Sequence, residues 1–144
     1  MIRPILLTLA IVVIGLALMT FSLPGPAAEF AISIERYRTG LLPARIQVDG
    51  EPWHYLVGGP ADGETVLLLH GFGANKDTWT RFAGYLTERY RVVAPDLPGF
   101  GESHRQPGQD YRLPAQRERL HAFVAALGLT DFHLAGNSMG GHLS

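Results

Sequence analysis

Three short runs of this chain, "TVLLLHG" (Thr65–Gly71), "YRVVAPD" (Tyr90–Asp96) and "FHLAGN" (Phe132–Asn137), end in turns rich in glycine or proline. The first two are nearly continuous in apolar side chains. A run of that kind suits a strand buried on both faces, the position strands occupy in parallel sheets. The segments between them carry the helical period instead. A helix is predicted over Asp77–Glu88, with Trp79, Phe82, Ala83 and Leu86 on one face. A second is predicted from Pro114, a residue suited to a first helical position, with Leu120, Phe123, Val124 and Leu127 inward and Gly128 as the stop. Upstream, "RIQVDGEPWHYLVGG" reads as two strands around the turn residues Asp49 and Gly50. Strands alternating with helices after an initial hairpin predict an α/β fold: a mostly parallel sheet, flanking helices and right-handed crossovers.

The N-terminus belongs to a different class of structure. Ile5 to Leu23 is a stretch of 19 residues without a charge, preceded by Arg3 and ended by Pro24-Gly25-Pro26. As a helix it would measure about 29 Å at about 1.5 Å per residue, against about 30 Å for the hydrocarbon core of a bilayer. A membrane anchor over residues 1–23 is the expectation, with a cleaved signal peptide as the alternative. Residues 24–44 form a connecting amphipathic segment in this reading. Phe30, Ile34, Tyr37 and Leu41 lie at helical spacing, opposite Glu35, Arg36 and Arg38. Residues 45–144 then form the α/β domain.

Composition excludes several functions. The 144 residues contain no cysteine, which removes disulfides, thiolate catalysis and cysteine-bound zinc. A formal net charge of −1 without a lysine and arginine block leaves no electrostatic footprint for nucleic acid. His54, His104, His121, His133 and His142 show no metal-ligand spacing with a carboxylate partner, so neither a metal nor a cofactor is expected. Gly99-Phe100-Gly101 lacks the third glycine and the later acidic residue of a dinucleotide fingerprint.

Chemistry concentrates in three turns at the carboxyl ends of the predicted strands, the edge where open parallel sheets place their sites. They are "HGFGANKDTW" (His70–Trp79), "DLPGFGES" (Asp96–Ser103) and "GNSMGG" (Gly136–Gly141). A serine on a tight strand-to-helix turn exposes its hydroxyl in a strained backbone conformation, and flanking chain must pass very close. Gly136 and Gly140 supply that room for Ser138. The helix that follows aims its amides at the site, Met139 first. In the first turn, Gly71 lets the chain bend so that the amide of Phe72 joins it as a second donor to a developing oxyanion. His70 is expected to buttress this turn rather than act as a base, and Asp96 to bind turn amides.

Together "LLLHGFGANKDTW", "VVAPDLPGFGES" and "HLAGNSMGG" resemble, in that order and spacing, the α/β-hydrolase superfamily. The likeness is nearest to its membrane-anchored lipase and monoacylglycerol-lipase-like members and extends over roughly Ile46–Ser144. The resemblance implies that Ser138 is the nucleophile and that Phe72 and Met139 give the oxyanion-hole amides. A serine there disfavours the dehalogenase and epoxide-hydrolase branches, which use an aspartate. It also implies the order Ser, then Asp or Glu, then His, and no triad acid or histidine follows Ser138 in this chain. The expectation is therefore the N-terminal part of a longer serine hydrolase, inactive as this chain alone. With "FHLAGN" left as a bare edge, the isolated chain is expected to be insoluble or molten.

The expected reaction of the whole enzyme is cleavage of an ester, a small molecule or more specifically a lipid-like acyl ester, through an acyl-enzyme. Hydrolysis of C–C, amide or thioester bonds is the alternative within the class. A membrane-tethered binding module that keeps the fold without the chemistry is the alternative outside it.

Overall fold

The computed structural model describes residues 24–144. Among the described residues, those from Glu35 onward form one compact unit, and residues 24–34 fall outside it. Helix α1 (Pro24–Arg38) opens the described chain. Five strands follow: β1 (Leu41–Val48), β2 (Glu51–Gly58), β3 (Thr65–Leu69), β4 (Arg91–Pro95) and β5 (Phe132–Gly136). A 3-10 turn (Lys76–Trp79) and the single-turn helix α2 (Thr80–Ala83) separate β3 from β4. Helix α3 (Leu113–Ala126) separates β4 from β5, and α4 (Met139–Leu143) follows β5. The expected anchor lies outside the described residues. Among the described residues no helix is long and apolar enough to cross a membrane.

The strands form one sheet in the order β1-β2-β4-β3-β5. The three apolar runs are its parallel part, with β3 between β4 and β5. The hairpin β1–β2 attaches antiparallel to β4 and turns through Asp49 and Gly50, whose φ angles are 53° and 84°. Whereas β5 is half-buried to exposed, both sheet faces are covered at β3 and β4. On one, Val48, Trp53, Leu67, Leu69 and Val93 pack with Leu120 and Phe123 of α3 and Leu143 of α4. On the other, Leu41, Leu56, Val66, Leu68, Val92 and Ala94 pack with Ala83, Trp79 and Leu86. Burial on both sides is why β3 and β4 read as unbroken apolar runs.

Two local expectations change. The helix expected over Asp77–Glu88 is reduced to the 3-10 turn and the four residues of α2, after which Gly84 and successive turns continue to Tyr90. Ala83 is fully buried, whereas Phe82 faces outward, so the apolar period reports a wound turn rather than a long helix. The helical spacing from Phe30 also breaks before Leu41. Arg38 ends α1, Thr39-Gly40 turn, and Leu41 opens β1 as a core residue. Chain pairing decides that point, since Leu41 lies opposite Gly58 in the hairpin register.

Candidate active site

Ser138 stands between the end of β5 and the start of α4 with φ 50° and ψ −111°. A non-glycine residue in that region is strained and persists only where its surroundings fix it. The fixing contacts are backbone. The amide of Asn137 donates to the carbonyl of Leu69 at 3.0 Å, and that of Gly140 to the carbonyl of Asn137 at 2.8 Å. A Cβ on Gly140 would lie 2.2 Å from the Leu69 oxygen, and one on Gly136 would lie 2.2 Å from the Gly140 carbonyl carbon. No side chain fits at either position. The Ser138 side chain is exposed, and its hydroxyl has no hydrogen-bond partner among the described residues.

The first turn lies against this elbow. A Cβ on Gly71 would come within 3.5 Å of the Ser138 Cβ, so the two turns meet with little between them. His70 is completely buried. Its Nε2 accepts the Leu97 amide at 3.0 Å, which places the ring hydrogen on Nδ1, where it donates to the Gly71 carbonyl at 2.7 Å. Both nitrogens are thus used, and burial holds the imidazole pKa below its ordinary value. The ring thereby ties the end of β3 to the second turn. Asp96 is fully buried and accepts the amides of Lys76 (2.7 Å) and Glu102 (2.9 Å).

A groove of about 600 Å³ opens at the elbow, lined by Phe72, Tyr111, Arg112, Leu113, Pro114, Ser138, Met139 and His142. Ser138, Phe72 and Met139 are therefore on one surface, while His70 and Asp96 lie behind it. Neither the Phe72 nor the Met139 amide has a hydrogen-bond acceptor among the described residues. The Phe72 ring is exposed and meets Phe100 edge-on at 5.4 Å. The far wall, Tyr111 to Pro114 at the start of α3, was not anticipated from sequence, because it follows a stretch without periodicity. His142 carried a signal that reading missed: it stands four residues after Ser138 and so shares its helix face. Its backbone amide (3.2 Å) and its Nδ1 (3.0 Å) both face the Ser138 carbonyl.

A sharp strand-to-helix serine, a second glycine turn beside it and a mostly parallel sheet define a class of fold. The chain belongs to the family described as alpha/beta hydrolase fold, whose model matches residues 64–144. It is 45% identical over 115 residues to "Lipase 1" of Psychrobacter immobilis, covering 78% of this chain and 36% of that protein. It is 39% identical over 89 residues to "Monoacylglycerol lipase abhd6-A" of Xenopus laevis, covering 60% and 26% respectively. Among solved structures, a membrane phospholipase A described as a bacterial virulence factor superposes with a TM-score of 0.83 at 45% identity. That match covers 98% of this chain and 46% of the other. The chain thus spans less than half the length of these relatives.

Proposed function

We propose that this chain carries the nucleophile and oxyanion-binding half of a serine hydrolase that cleaves lipid-like acyl esters. The observation that carries the reading is the strained Ser138, its hydroxyl uncommitted, at the floor of a groove walled by Phe72, Leu113, Pro114 and Met139. In this mechanism Ser138 Oγ attacks the ester carbonyl carbon, and the π electrons move onto the carbonyl oxygen. The amides of Phe72 and Met139 donate to that oxyanion; one such donor is typically worth about 3 kcal/mol of transition-state stabilisation. Collapse expels the alcohol, which takes a proton, and leaves an acyl-serine ester for water to cleave.

The proton needs a base. His70 lies behind the groove with both nitrogens occupied. His142 lines the groove but turns Nδ1 to a carbonyl. The base and its orienting acid are accordingly assigned to residues beyond this chain, in the order serine, acid, histidine. The apolar groove and the lipase names among the relatives support an acyl-chain substrate. The uncharged Ile5–Leu23 stretch is proposed as a membrane tether with the catalytic domain outside the cytoplasm. The alternative is a signal peptide removed from a secreted or periplasmic enzyme.

A fluorophosphonate probe tests the assignment on the full-length enzyme. Labelling is expected at Ser138, and Ser138→Ala should remove it together with at least a 1000-fold share of ester hydrolysis, an order of magnitude set by other serine nucleophiles. Labelling retained in Ser138→Ala, or absent from an enzyme that still hydrolyses esters, would refute it.

A further inference from the structure

The first turn is tied down at both ends, and only one tie is the histidine. At its far end Lys76 is a buried cation, with 2% of its side chain exposed. Its Nζ donates to Asp96 Oδ2 at 2.6 Å and to Glu102 Oε2 at 2.5 Å, while its backbone amide donates to Asp96 Oδ1 at 2.7 Å. Asp96 closes the arrangement by accepting the Glu102 amide at 2.9 Å. One lysine therefore holds the first turn to two points of the second through both main chain and side chain. Glu102 responds to the contact, its carboxyl held below the usual carboxylate range chiefly by the hydrogen bond from Lys76. A buried ion pair of this kind is weak support for stability, because desolvation offsets most of the attraction, and a well-packed neutral pair often does as well. What the pair does supply is direction.

We infer that Lys76, through Asp96, is a positioning residue that sets the Phe72 amide for the oxyanion. The inference rests on the proposed nucleophile and oxyanion site. The seven residues from His70 to Lys76 are pinned to the second turn at one end by His70 to Leu97 and at the other by Lys76 to Asp96. In between, the Phe72 ring touches Phe100. Between Phe72 and Lys76 the chain turns on itself, the Ala74 amide donating to the Gly71 carbonyl at 3.2 Å and Gly73 having φ 72°. Loss of the Lys76 tie removes the far-end bonds to the second turn and leaves that stretch held to it by His70 and by the Phe72–Phe100 ring contact. A donor displaced by about 1 Å loses much of its transition-state contact while substrate binding in the groove is unaffected.

The test compares three variants of the full-length enzyme: Ser138→Ala, Lys76→Met, and the double variant Lys76→Met/Asp96→Asn. The double variant removes both buried charges and leaves one amide oxygen for a turn amide. Ester kinetics are measured with the inhibition constant of phenylboronic acid, which forms a tetrahedral anionic adduct on a nucleophilic serine. Both Lys76 variants are expected to lose about 10- to 100-fold in kcat, with KM within about twofold. The boronate inhibition constant should rise in parallel with the loss in kcat. The double variant should keep a cooperative melt near that of the wild type, which separates positioning from folding. Unchanged kcat in a folded variant, or kcat lost without a change in boronate inhibition, overturns the clamp. Failure of the double variant to fold overturns it too, by making the pair a folding element. Hydrolysis or boronate inhibition that survives Ser138→Ala overturns the serine assignment, and the clamp with it.

Discussion

His70 gives the site a built-in dependence on acidity. Its ring is neutral by hydrogen bonding, donor at Nδ1 and acceptor at Nε2, and burial lowers its pKa from the ordinary 6.5. The unfolded chain takes a proton on this residue near pH 6.5, the folded chain only at lower pH. Between those two values the unfolded state holds more protons, so stability falls as pH falls and is recovered as pH rises. The melting temperature of the full-length enzyme is expected to decline from pH 7 to pH 5, and His70→Gln, which keeps a donor and an acceptor, should flatten that slope. An unaltered slope in the variant would remove His70 as its source. At this scale the sequence exposed the elbow well, because glycine at 136 and 140 is demanded by backbone in contact with backbone. It did not expose Lys76. A lysine in a polar turn is ordinarily solvated, and only the folded arrangement brings Asp96 and Glu102 around it.

Helix α3 is the element that joins the core to the groove. Phe123 stacks on Trp53 of β2 with ring centroids 4.6 Å apart and meets Tyr55 edge-on at 5.7 Å. About two turns upstream, buried Gln116 donates to the carbonyl of Pro98 at 2.7 Å, tying the helix to the second turn. Phe123→Ala is expected to destabilise the full-length enzyme by about 3–5 kcal/mol, read as a shift in denaturant midpoint. A shift under about 1 kcal/mol would show that the stack is not central to the core. The helix was legible from its apolar period and its Pro114, and so was the hairpin from its turn. The wound segment around α2 was not. Trp79, Phe82, Ala83 and Leu86 have the spacing of a helix, yet a four-residue turn and a 3-10 turn present much the same spacing over so short a stretch.

Across the whole molecule, the two margins of the sheet differ. The β1 margin ends a hairpin that carries Pro43, whereas β5 is paired, among the described residues, only with β3. Beside β5 a second groove of about 380 Å³ is lined by Leu67, Leu120, Val124, Phe132, Leu134 and Leu143, among others. An open strand flanked by apolar side chains favours pairing with another chain. Residues 24–144 produced alone are expected to self-associate, and Leu134→Lys to raise the monomer fraction in sedimentation. A monomer with a cooperative melt and no effect of the lysine would contradict this.

The contacts that hold the elbow have one more consequence. The contacts that fix residue 138 in its unusual geometry, from the Leu69 carbonyl to the bare Cα atoms of Gly136 and Gly140, are made to main chain, and among the described residues the serine hydroxyl has no partner. The frame is therefore blind to what it displays. A side chain of another chemistry could be mounted at the same point without rebuilding the mount, so that architecture and reactivity can be inherited separately.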